Sequence, residues 1–228
     1  MTMGTILVVA AYSAYSVFWA RFLLHGLVWW KAMKRLSTEP ASPTTAKVWA
    51  LTVSDVFLFT RLLMVNPALW VGEWAFHASF LLVLLRHLRY FLNPVPAWVW
   101  CIQTPGTIAG YVLPPALVYI LVIRLFTRWE KYASPANMFL LCLVLVISSL
   151  GVLMHVLYKP DLVDVKLFAW GIVTLRPAAA PASLLFLLHF ILVLVLIPFL
   201  PTHIFTAPLV MMEARKRKKA LRLVMHEE

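Results

Sequence analysis

Leu69 to Phe91 reads LWVGEWAFHASFLLVLLRHLRYF, a run long and apolar enough to cross a bilayer's hydrocarbon core, which needs about 20 such residues as a helix. It carries two histidines, His77 and His87, and two arginines, Arg86 and Arg89, beside the second of them. Outward from this segment the chain repeats the pattern. Met3 to Trp30, Thr107 to Phe126, Ala136 to Tyr158 and Ala180 to Ile204 are comparably apolar, and 63% of the 228 residues are hydrophobic while only 13% are charged. Such a composition excludes a water-soluble surface. The expected fold is all-α and polytopic: five transmembrane helices in a bundle forming one domain over residues 1–213, then a basic tail over 214–228. Met3 to Trp30 is followed at once by Lys31, Lys34 and Arg35 with no small-residue cleavage site, so a retained helix is expected there. Val48 to Val65 carries Asp55 and Arg61 and runs into Asn66-Pro67. That predicts an amphipathic helix lying in the membrane interface rather than a sixth span.

Charge sets the orientation. Twenty Lys and Arg against nine Asp and Glu give +11. With the N-terminus outside, thirteen basic residues fall on the inner side, including Arg124, Arg128, Lys131 and the tail from Arg215 to Arg222, against five on the outer side. Short cytoplasmic loops are enriched in Lys and Arg, so five spans with an outer N-terminus and a cytoplasmic C-terminus follow. The positive charge is thereby accounted for by topology and anionic lipid, and no nucleic acid is implied. Trp29, Trp30, Trp98 and Trp100 cluster at span boundaries, as interfacial anchors do. Cys101 and Cys142 provide neither a disulfide framework nor a cysteine-rich metal site.

Ionisable residues at membrane depth are costly and mark functional sites. His77 and His87 lie ten residues apart on the second span, and His189 and His203 fourteen apart on the fifth, rises of about 15 Å and 21 Å along helices that run in opposite senses. His77 thus shares the inner level with His203, and His87 the outer level with His189. Two cross-helix imidazole pairs at two depths are what two stacked b-type haems require. A zinc or copper shell would gather its ligands at one level instead. The helical offsets, near 80° and 40° from a common stripe, call for tilt, and Pro198 and Pro201 between the histidines of the fifth span could supply a kink. His25 and His155 lack comparable partners and are expected to be structural.

His77 to Pro96, HASFLLVLLRHLRYFLNPVP, resembles the second-helix signature of the dihaem cytochrome b subunits of sulfite-reductase-linked menaquinone complexes and of heterodisulfide reductase, relatives of the respiratory nitrate reductase gamma subunit. Asp161 to Leu175, DLVDVKLFAWGIVTL, resembles the stretch before the final helix of the sulfite-linked branch. The resemblance implies two b haems, with His77 and His203 on the inner iron and His87 and His189 on the outer. The separation of His189 from His203 is about one turn shorter than the family pattern.

Haem propionates need cationic partners near the membrane surface. Arg86 and Arg89 straddle His87 and suit the outer haem, while Arg21, Arg61 and Lys47 are available at the inner end. A menaquinone headgroup would need hydrogen-bonding groups and a route for protons, and Asp164 and Lys166, in the outer loop before the fifth span beside Leu167, Phe168 and Trp170, are the candidates for that site. The chain has no cysteine cluster and no Cys-x-x-Cys-His, so electrons must pass to or from a partner. The inner basic groups make the cytoplasmic face its dock. The resemblance implies an iron–sulfur subunit of the heterodisulfide-reductase type there, and allows an outer multihaem cytochrome c. The expected function is an electron-transfer subunit of a quinone-linked respiratory complex in a prokaryotic cytoplasmic membrane. The alternatives are a haem-free membrane anchor and a small transporter, the latter disfavoured by the lack of paired broken segments around Pro114-Pro115.

Overall fold

Residues 3–38, 46–126 and 135–204 are described by the computed structural model, and the described residues contain helices and no strand. The helices are α1 (Met3–Thr38), α2 (Ala46–Phe57), α3 (Thr60–Val65), α4 (Pro67–Phe91), α5 (Ala97–Cys101), α6 (Gln103–Phe126), α7 (Pro135–Val156), α8 (Leu162–Val173) and α9 (Leu184–Leu196). A 3-10 turn, Ile197–Phe199, carries α9 onward, helical again over 200–204. Five segments are long and apolar enough to span a membrane: Gly4–Ala32, Pro67–Phe91, Gln103–Phe126, Pro135–Val156 and Leu184–Ile204. The expected all-α, five-span fold is borne out. Many large apolar side chains along these helices stay exposed, Leu23, Leu24, Leu81 and Ile108 among them, as a bilayer rather than water requires.

The chain packs as two units, Met1–Ala14 with Pro67–Leu196, and Tyr15–Asn66 with the residues from Ile197 onward. In the first, α4 and α6 pack closely because small residues sit at their crossing. A Cβ on Gly72 would stand 2.8 Å from ring and side-chain carbons of Tyr119 and Ile120, and one on Gly106 would stand 2.8 Å from Arg86 Cβ and 3.1 Å from the Leu82 carbonyl. α6 runs through Pro114 and Pro115 without a break. The stretch before the fifth span, expected as a loop, is instead the helix α8, started by Asp161, whose side chain accepts from the Val163 amide at 2.7 Å and so satisfies a donor the first helical turn leaves open. Its buried face, Val165 and Phe168, packs with Leu7, Val8 and Phe186 into an apolar cluster. At its other end the Tyr12 hydroxyl donates to the Ile172 carbonyl at 3.0 Å.

In the second unit the expected single helix over 48–65 is two. Phe59 takes a left-handed φ of 51° between α2 and α3, and Asp55 is buried at the break, where it accepts from the Thr60 hydroxyl and pairs with Arg61 at 3.1 Å. The charges that mark this segment as interfacial in the sequence therefore neutralise each other across a turn. Pro201 also has a consequence here. A 3-10 pattern would direct the residue-201 amide to the Pro198 carbonyl, but proline has none to give. Arg21 donates to that carbonyl instead, at 3.0 Å, with its guanidinium 5.7 Å from the centre of the Phe199 ring.

Candidate functional site

α4 and α9 bring His87 and His189 together in the first unit, with ring centres 6.5 Å apart and ring planes 13° apart. Face-to-face stacking would be much closer. An imidazole nitrogen bonds a transition metal at about 2 Å and lies about 1.1 Å from its ring centre, so two rings gripping one ion from opposite sides stand about 6.2 Å apart. Both Nδ1 atoms face backbone carbonyls: His87 that of Val83 at 2.6 Å, one turn back, and His189 that of Ile147 on α7 at 3.0 Å. A carbonyl only accepts, so each Nδ1 carries the proton and each Nε2 keeps its lone pair, the tautomer a metal ligand needs. The Arg86 and Arg89 Nε atoms are buried with no hydrogen-bond partner among the described residues. Arg89 is otherwise held, donating to Gln103 Oε1 at 3.0 Å and to the Tyr90 hydroxyl, with its guanidinium 4.6 Å from the Tyr90 ring centre. Two imidazoles at this separation, tied in the ligating tautomer, with unfilled guanidinium donors flanking one of them, fit a bis-histidine haem and its propionates.

The inner-level residues are placed differently. His77 Nδ1 donates to the Glu73 carbonyl at 2.7 Å and lies 3.8 Å from the Glu73 carboxylate, which in turn pairs with Arg124 of α6 at 2.6 Å. His77 is in the first packing unit and His203, with an exposed side chain, in the second. Of the inner cations offered by the sequence, Arg21 is engaged with the Pro198 carbonyl and Arg61 with Asp55, while the Lys47 side chain lies outside the described residues, as do Arg128, Lys131 and the basic tail. The Glu73–Arg124 pair is not among the sequence's candidates; its one signal there is a carboxylate one turn before a histidine inside an apolar span.

Three further expectations meet the structure. Lys166 lines an outer crevice of about 330 Å³ with Asn93, Leu162, Val163, Leu167 and Trp170, but Asp164 is exposed and outside that lining. Two residues apart on one helix point about 200° apart, so the two do not converge. His25, expected to be structural, has Nδ1 2.8 Å from the Arg21 carbonyl and Nε2 3.4 Å from the Thr202 hydroxyl. His155, likewise expected to be structural, has its Nδ1 2.8 Å from the Tyr111 hydroxyl.

No family model matches the chain. Over 149 residues, 58% of its length, it is 33% identical to a protein of Archaeoglobus profundus named Hdr-like menaquinol oxidoreductase cytochrome b-like subunit, covering 44% of that protein. It is 32% identical over 149 residues to a protein of the same name from Archaeoglobus fulgidus, covering 45% of it. The chain thus spans about half the length of the curated relatives it matches. These names agree with the resemblance carried by the two-histidine helix: the chain is similar to proteins named cytochrome b-like subunits of Hdr-like menaquinol oxidoreductases.

Proposed function

We propose that this chain is a dihaem membrane cytochrome b, carrying electrons between a menaquinone pool and a cytoplasmic iron–sulfur partner of a respiratory complex. The observation that carries the reading is the His87–His189 pair, 6.5 Å apart with both Nδ1 atoms tied to carbonyls. Held between these two imidazoles, a haem would supply a one-electron iron couple. The chain's own residues do the rest. The Val83 and Ile147 carbonyls hold the rings in one tautomer and orientation, and Arg86 and Arg89 supply cationic donors to propionates at the outer end. By the depth reading of the sequence, His77 and His203 hold the second haem at the inner level.

Quinol oxidation to quinone releases two protons where it happens, so a site at the outer level joined to an inner-level exit for the two electrons separates charge across the membrane. Lys166 and its crevice support a headgroup contact at that level, with Asp164 exposed nearby as a proton exit. The relatives' name supports menaquinol and a heterodisulfide-reductase-like partner, and the inner basic residues support a cytoplasmic dock for it in a prokaryotic cytoplasmic membrane. The resemblance read in the sequence allows a periplasmic multihaem cytochrome c as a further partner at the outer face.

The purified chain is expected to show a reduced b-type spectrum, and His87→Ala or His189→Ala to remove one haem and leave the other. A wild-type protein without that band would leave a haem-free anchor as the better account. Two haems retained in either variant would disprove the pairing.

A further inference from the structure

Gln103 opens α6 with its side chain fixed at both ends: Nε2 donates to the Val99 carbonyl at 2.8 Å, and Oε1 accepts from Arg89 at 3.0 Å. Val99 is fully buried, so this bridge is anchored in the packed interior. One turn on, Gly106 lies against Arg86. The first turn of α6 thus presents Gln103 and Gly106, three residues apart on one face, to Arg89 and Arg86, which are three apart on α4.

Arg89 needs such a hold. Residues two apart on a helix point about 200° apart, so the Arg89 side chain leaves α4 on the side away from His87. Tyr90 redirects it. Three residues from His87 and so within about 60° of it around the helix, Tyr90 has its ring centre 6.0 Å from that of the histidine. The Arg89 guanidinium lies 4.6 Å from the Tyr90 ring centre and donates to the Tyr90 hydroxyl, which carries the cation round toward the side of the histidine. One terminal nitrogen is thereby held on Gln103 and the other on Tyr90. What remains is Nε, buried and without a hydrogen-bond partner among the described residues, as is the Nε of Arg86. Like charges at this helical spacing repel, and a buried donor without an acceptor is costly. A carboxylate between the two guanidinium groups relieves both.

We propose that Gln103 and Tyr90 are positioning residues of the outer haem: together they turn Arg89 so that its guanidinium meets a propionate, and so help to set the potential of that haem. The inference rests on the bis-histidine reading of His87 and His189 given above. A ferric haem carries one more positive charge than a ferrous one, so a propionate whose charge is left uncompensated favours the ferric form. Loosening the hold on Arg89 therefore lowers the potential.

The test is a redox titration of the haem-loaded full chain in nanodiscs, followed at the reduced b-type band, the outer haem being the component that His87→Ala removes. Gln103→Met keeps the length of the side chain but offers Arg89 no oxygen, and Tyr90→Phe keeps the ring without the hydroxyl. Each is expected to lower the ratio of reduced to oxidised outer haem at a fixed poise about tenfold, a downward shift of about 59 mV for a one-electron couple, with any other b-type component left in place. In an Arg89→Gln background Gln103→Met is expected to add nothing, because the group it positions is gone. If a lipid phosphate filled these donors instead, the outer potential would keep its wild-type value in both single variants. That result overturns the positioning role and leaves the haem reading standing, as does a Gln103→Met shift that persists undiminished in the Arg89→Gln background. A wild-type chain with no b-type band overturns the haem reading and this inference with it.

Discussion

Glu73 and Arg124 show how far one residue's meaning depends on its neighbour. A carboxylate in an apolar span is costly alone, and so is an arginine one turn from a span's end, but at 2.6 Å each removes the other's penalty. Removing one partner strands the other, so Glu73→Gln and Arg124→Gln are each expected to destabilise the detergent-solubilised chain by about 3 kcal/mol. The double variant should recover part of that loss, because nothing charged is then left unpaired. A thermal-unfolding cycle in which the two single losses simply add would show that the groups do not interact. The same pair shapes the surroundings of His77, whose ring is held by the Glu73 carbonyl in the way the Val83 carbonyl holds His87. An identical i−4 contact thus recurs at both histidines of α4, and the repeat follows from their shared position on one helix.

At the scale of elements, helix contact is governed by what is absent as much as by what packs. Gly106 lets α6 come within van der Waals reach of the Arg86 side chain and the Leu82 carbonyl. A methyl there would meet backbone as well as side chain, so Gly106→Ala is expected to push α4 and α6 apart at a cost of about 1–3 kcal/mol. Because Arg86, the residue before His87, lies at that contact, occupancy of the proposed outer haem should fall with it. Haem-to-protein stoichiometry reads the effect, and full occupancy at unchanged stability would show that the crossing has slack. α2 and α3 illustrate the opposite case. Period and composition suggest one helix over 48–65, but the buried Asp55 with Thr60 and Arg61 closes a local turn that breaks it. Side chains that bond to one another across a few residues offer the backbone an alternative to continuing the helix.

For the whole molecule, orientation follows from the distribution of basic residues, and Cys101 provides a native reporter of it. This exposed thiol sits between α4 and α6, on the outer side if the N-terminus is outside. In a Cys142→Ser background, a membrane-impermeant maleimide should label Cys101 in intact cells. Labelling seen only after permeabilisation would reverse the topology and with it the assignment of His87 and His189 to the outer level.

The spans, their number and the shared level of His87 and His189 were legible in the sequence because a bilayer selects on length and composition, and a helix converts residue count into depth at a constant rise. Hence His87 and His189 could be matched by level before their rings were seen to face each other. Rotation about each helix axis was not legible, since it depends on which neighbour a face meets. That is why Tyr111 against His155, Glu73 against Arg124, the divergence of Asp164 from Lys166, and the diversion of Arg21 to the Pro198 carbonyl all waited for the packed structure. Depth is a property of one chain segment in its solvent, while facing is a property of two segments in contact, and only tertiary structure decides the second.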